Sequence, residues 1–159
     1  QLNVEFTVQD GESCLFLLAH TMPEGHQLAI QERRESLYES LFLFASDRGN
    51  PRLSDRYDGL APSVLSFLRR LVDACRAKNV PISLCGEMGG QPVDAMALIG
   101  IGFRTLSMHV PSIGPVRRMI RSMDLPSVAT YLAGLQDSPD RSLRQLLKAY
   151  ARDHGVDIG

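Results

Sequence analysis

The residues best placed to do chemistry stand in three short blocks. In "ISLCGEMGGQP", Ile82 to Pro92, a short and mostly apolar run ends on Cys85 and opens into a glycine-rich stretch that holds Glu87. A thiol at such a position can give or take a proton or act as a nucleophile. The plainer alternative is a small buried side chain ending a strand, and the residues leave both open. The glycines at 86, 89 and 90 would let backbone N–H groups approach an anion, which points to a phosphate or carboxylate guest. In "DRGN", Arg48 stands between Asp47 and Asn50, and a guanidinium suits bidentate recognition of phosphate. Solvated loop charges would explain the same four letters. In "SMHVPS", His109 follows a second short apolar run. The other histidines, His20, His26 and His154, show with it no metal-binding spacing, so no metal ligands are assigned. Cys14 and Cys75 lie in apolar patterns and read as core.

The elements that position these blocks follow from periodicity and punctuation. "NVEFTV" alternates as a strand, and "CLFLLAH" reads as a buried strand or short helix. From Glu24 to Ala45 the apolar positions recur at helical spacing, which predicts a helix. The polar, Gly- and Pro-rich stretch from Ser46 to Pro62 predicts a long loop. "PSVLSFLRRLVDACRAKN" puts Val64, Leu65, Leu68, Leu71, Val72 and Cys75 on one stripe, with Asn79 as a left-handed stop. "VPISLCG" is then a strand and "QPVDAMALIGIG" a helix with Pro92 in its first turn and Gly102 at its end. "FRTLSMH" is a strand, "PSIGPVRRMIRSM" a helix capped by Ser112, and two further helices run through "LPSVATYLAGL" and "SPDRSLRQLLKAYARDHG". Helix and strand thus alternate at about 20 residues per repeat, which predicts parallel strands with crossover helices. Their functional residues belong beyond the carboxyl ends of the strands, so the Cys85 and Ser107–Ser112 ends would open on one face.

Composition narrows the class. The chain has 159 residues, 44% apolar and 22% charged, which suits one soluble globular domain. A net charge of −1 gives no basic footprint for nucleic acid. No apolar run reaches membrane-span length and no signal-peptide pattern opens the chain. Three cysteines without paired spacing predict reduced thiols and a cytoplasmic location. An opening Gln1 in place of Met suggests a fragment.

Together, "DRGN", "CGEMGG" and "LSM…PSIGPV" resemble, in order and spacing, the C-terminal part of enzyme I of the phosphoenolpyruvate-dependent phosphotransferase systems, its nitrogen-related form in particular. The likeness runs from Ala45 to the C-terminus. It implies an α/β fold made of parallel strand–helix units of a (β/α)8, TIM-like barrel, incomplete in a chain this short. Residues 45–159 would be the C-terminal part of the phosphoenolpyruvate-binding barrel domain, and 1–44 a segment faintly like an early barrel unit. The resemblance further implies a phosphotransferase that moves the phosphoryl group of phosphoenolpyruvate, with Mg²⁺, to a histidine on another domain. From there it passes to a phosphocarrier protein, and the barrel also forms a homodimer. It assigns Cys85 as proton donor to the methylene carbon when pyruvate forms, Arg48 and Asn50 as substrate-binding, and the backbone of Gly86 and Glu87 as pocket lining. The family's metal-binding Asp falls at Tyr38, with Leu37 for its Asn, and its metal-binding Glu and phosphorylated histidine block have no counterpart. Neither Leu nor Tyr offers the hard oxygen ligands that Mg²⁺ requires, so the chain alone is expected to be inactive. Two alternatives remain: a non-catalytic dimerisation or assembly remnant, and a relative of pyruvate, phosphate dikinase, which shares the "CGE" block.

Overall fold

The computed structural model describes residues 58–159 and, as backbone, the strand segments Glu5–Thr7 and Leu28–Gln31. These two segments are β1 and β2. They are followed by helix α1 (Pro62–Ala77), β3 (Ile82–Cys85), a single helical turn α2 (Glu87–Gly90), α3 (Pro92–Ile101), β4 (Thr105–Ser107), α4 (Val110–Ser122), α5 (Leu125–Gly134) and α6 (Arg144–Asp153).

The alternation seen in the sequence is realised. α1 buries Val64, Leu65, Leu68, Val72 and Cys75 on one stripe, with Leu71 at its margin, and proline occupies its first position. Each such aliphatic side chain taken fully out of water contributes roughly 1.5–3 kcal/mol. Asn79 takes the left-handed conformation, φ 53°, that stops the chain before β3. Apart from Asp94, α3 is apolar round its surface and buried along nearly its whole length, as a helix enclosed by others must be. It ends at Gly102, φ 119°, where an added Cβ would meet Arg76 and Val72 at 2.8 Å. Only glycine fits both that conformation and that space. At Gly100 a Cβ would clash with Leu132 Cδ1, so the missing side chain lets α5 close onto α3. The Asp124 carboxylate accepts the Ser127 N–H at 3.1 Å and caps α5.

The four strands form one parallel sheet in the order β1-β4-β3-β2. The family's closed barrel is not formed by these four strands; the described architecture is a small parallel sheet covered by helices. Leu84 and Leu106, which are register partners, enter the helical core. With a side-chain period of two, Ser83, Cys85, Thr105 and Ser107 belong to the other face.

Four local expectations are revised. Residues Leu28–Gln31 are a strand, not part of a helix, because pairing with β3 from Leu28↔Ile82 to Gln31↔Cys85 overrides the local pattern. The remainder of the 24–45 helix, the 46–57 part of the expected loop and "CLFLLAH" lie outside the described residues. The glycine-rich stretch after Cys85 is a helical turn and not an open loop. α4 starts at Val110 behind His109, two residues before the expected Ser112 cap, since Pro111 is at home in a first helical turn. Finally, α6 begins only at Arg144, because Ser142 and Leu143 are tied to the segment before α1. Leu143 N–H donates to the Leu60 carbonyl at 2.9 Å, and the Ser142 hydroxyl donates to Asp58.

Candidate active site at the carboxyl edge of the sheet

The last residues of the four strands stand in one row. Thr7 is in register with Ser107, Ser107 with Cys85, and Cys85 with Gln31. This is the edge at which parallel α/β folds place their chemistry. Cys85 is half-buried here, while Ser107 beside it is only 7% exposed. Burial pushes the Cys85 thiol above its usual range, and the hydrogen bond with the Ser107 side chain works against that rise without cancelling it. The sulfur therefore keeps its proton at neutral pH. That is the state a proton donor needs, and the opposite of an activated nucleophilic thiolate.

The turn after Cys85 is set by its glycines. Gly86 has φ 130° and ψ −173°, a conformation open to glycine alone, and it turns the chain from β3 into α2. A Cβ on Gly89 would approach the Ser107 carbonyl oxygen at 3.0 Å, and one on Gly90 would approach Ser112 Oγ at 2.8 Å. Two of the three glycines expected to free backbone for an anion are thus explained by close packing on β4 and α4. The Gly89 N–H is already used, donating to the Gly86 carbonyl at 3.2 Å. Glu87 points its exposed side chain outward from the same turn. His109, the N-terminal residue of the α4 cap, is exposed near the end of β4.

Cys85, Gly86 and Glu87 are therefore brought together at one edge. Arg48 and Asn50 lie outside the described residues, as do Cys14, His20, His26, Leu37 and Tyr38. Cys75 is buried on α1, as expected of a core cysteine. Sequence reasoning reached the Ser107–Ser112 strand end but missed the Ser107–Cys85 partnership. Its signal was the alternation in "ISLC" and "TLS", with a small polar or thiol side chain at every second position.

A second cluster was also missed. The Arg144 guanidinium grips Asp58 with both arms, Nη2 to Oδ1 at 2.8 Å and Nε to Oδ2 at 3.2 Å. It also donates from Nη2 to Asp94 Oδ2 at 3.2 Å. Its Nη1 lies 2.7 Å from Asp94 Oδ1, close enough for charge attraction but not aligned as a hydrogen bond. For Asp58, burial pushes the carboxyl up, but hydrogen bonds from Arg144, Ser142 and the Leu60 N–H outweigh it and hold the group low. For the more deeply buried Asp94, burial prevails over Arg144 and holds the group high. Among the described residues no group of three or more His, Cys, Asp or Glu gathers as a metal site. The two carboxylates that do converge are neutralised by a guanidinium, which would repel a cation. The Asp58–Asp94 pair therefore does not fit Mg²⁺, and no chemical step is routed through the metal.

The profile of the PEP-utilising enzyme family, for its PEP-binding domain, matches residues 41–125, a span that contains Cys85, the glycine turn and Ser107. The chain belongs to the PEP-utilising enzymes. Individual relatives agree with the likeness to enzyme I. A phosphoenolpyruvate-protein phosphotransferase of Borreliella burgdorferi is 41% identical over 71 residues, 45% of this chain and 12% of that protein. A protein of Escherichia coli named phosphoenolpyruvate-dependent phosphotransferase system is 35% identical over 112 residues, 70% of this chain and 14% of its own length. A phosphoenolpyruvate-protein phosphotransferase of Haemophilus influenzae is 28% identical over 118 residues, 73% of this chain and 20% of that protein. The chain thus spans at most a fifth of the length of these relatives. Within the matched span, the carboxyl edge of the sheet holds a thiol that burial pushes above its usual range, a hydroxyl partner and a glycine turn.

Proposed function

We propose that this chain supplies part of the phosphoenolpyruvate/pyruvate site of an enzyme I of the nitrogen-related form. Cys85 gives its proton to the methylene carbon as pyruvate forms, and takes it back in the reverse direction. Arg48, with Asn50 beside it, grips the substrate phosphate, and the backbone of Gly86 and Glu87 lines the pocket. The phosphoryl group leaves for a histidine on another domain and then for a phosphocarrier protein, in the cytoplasm. The chain by itself does not complete that transfer, since the positions where the family carries its Mg²⁺ ligands are Leu37 and Tyr38 or have no counterpart. Positioning and charge neutralisation are nearly all that phosphoryl transfer consists of, so their loss is not compensated elsewhere.

The observation that carries this reading is the half-buried position of Cys85 at the carboxyl end of a parallel strand, where burial pushes its thiol up. The arrangement could not serve a thiolate nucleophile without a cationic neighbour to lower the pKa. Protection of Cys85 from iodoacetamide tests it. Phosphoenolpyruvate or pyruvate should slow alkylation of Cys85, resolved by peptide mass mapping, and leave Cys75 unaffected. Equal rates with and without either ligand would remove Cys85 from the substrate site.

The second reading, a non-catalytic assembly remnant, draws support from the sheet itself. β1 and β2 are its outermost strands among the described residues, and unpaired strand edges favour association. Homodimerisation accords with both readings, whereas ligand protection accords only with the first.

A further inference from the structure

Ser107 has no role in the scheme above, yet three features single it out. It is in register with Cys85 on the adjacent strand, so the two side chains leave the same face of the sheet side by side. Its side chain hydrogen-bonds the thiol. It is 7% exposed, and its own backbone carbonyl lies where a Cβ on Gly89 would come within 3.0 Å. The backbone of the serine is therefore held by β4 on one side and by the glycine turn on the other, which fixes where its side chain starts beside the sulfur. We propose that Ser107 is a positioning residue for Cys85: it fixes the direction of the thiol and donates a hydrogen bond from its hydroxyl to the thiolate left behind by proton transfer. This rests on the reading of Cys85 as proton donor.

The step it assists balances without any further reagent. The Cys85 S–H bond breaks, and its proton forms the new C–H bond at the methylene carbon of enolpyruvate with the electron pair of the C=C bond. The enolate oxygen becomes the ketone oxygen of pyruvate. The S–H electron pair stays on sulfur, and the thiolate later regains a proton from water. Nothing is oxidised or reduced. The step creates a negative charge in a half-buried site, which is costly unless a donor already points at it. A serine hydroxyl fits this work. It can accept from the thiol before transfer and rotate to donate to the thiolate afterwards.

The pH profile of Cys85 alkylation in the 159-residue chain is the direct test, with iodoacetamide as the probe and Cys75 as the internal reference. A hydrogen bond to a charged group is worth enough that Ser107→Ala should raise the midpoint by about one pH unit and slow alkylation about tenfold below it. Ser107→Thr, which keeps a hydroxyl, should return the profile toward that of the parent. If Ser107→Ala fails to fold, the Ser107→Thr and Ser107→Val pair, nearly equal in shape and differing in the hydroxyl, carries the same comparison. A profile unmoved by loss of the hydroxyl overturns the proposal. Ligand protection separates the two ideas. Protection without a profile shift would uphold Cys85 in the site and refute Ser107. A shift without protection would uphold the Ser107–thiol pairing and refute the site on which its catalytic meaning depends.

Discussion

A methyl group at position 89 would press on the Ser107 carbonyl oxygen at 3.0 Å, a contact with backbone that no side-chain rotation relieves. Gly89→Ala should therefore cost about 1–3 kcal/mol in urea unfolding, and by displacing Ser107 it should also move the Cys85 alkylation profile. At Gly134, near the end of α5, an added Cβ meets nothing within 4 Å. Gly134→Ala should be neutral or stabilising by up to about 1 kcal/mol, because it only narrows the unfolded ensemble. Equal losses at both positions would mean that the glycine turn is not packed against β4 as described. At this scale the sequence revealed the position of Cys85 but not its protonation. The latter is set by burial, with Ser107 opposing it from 22 residues further on, and both arise only once the strands have paired and packed.

Among the side-chain contacts of the described residues, Arg144 makes the longest-range tie. It joins α6 to Asp58, 86 residues away, and to Asp94 in the first turn of α3, 50 residues away. Arg144→Ala would leave Asp94 buried and unpaired. Since the guanidinium is itself partly exposed, the expected loss is about 2–3 kcal/mol by urea unfolding, toward the lower end for a broken buried pair. The two carboxylates should respond to pH in opposite senses. The folded state holds the Asp58 pKa below the unfolded value, so its stabilisation is complete above about pH 4 and drains away as pH falls through the folded value. The Asp94 pKa is raised by folding, so stability falls as pH rises from about 4 through the folded value, and the penalty persists above it. Unfolding midpoints of Asp58→Asn and Asp94→Asn between about pH 3 and 7 check both signs: the first variant should lose the acid-side decline, the second the decline on rising pH. Helix limits marked by Pro62, Pro92, Asn79 and Gly102 were legible because each acts within one turn of the chain. β2, the late start of α6 and the Arg144 cluster were not, because each is decided by a partner distant in sequence.

At the scale of the whole molecule, the sheet brings two early strand segments alongside the two late ones, with all four carboxyl ends in one row. Parallel pairing was predictable from the helix–strand alternation, but the order β1-β4-β3-β2 was not, since no local signal ranks strand partners. If the homodimer implied by the family likeness forms, the chain should self-associate with rising concentration, measurable by sedimentation velocity. On the proposal above, this edge belongs to a phosphoenolpyruvate site whose family Mg²⁺ ligands have no counterpart in this sequence. A thermal unfolding scan with phosphoenolpyruvate, with and without Mg²⁺, tests it most directly, because only a ligand that binds the folded state preferentially raises the midpoint. Phosphoenolpyruvate alone should raise the midpoint, and the metal should raise it no further. An unfolding transition indifferent to phosphoenolpyruvate, or a rise that requires Mg²⁺, would contradict that proposal.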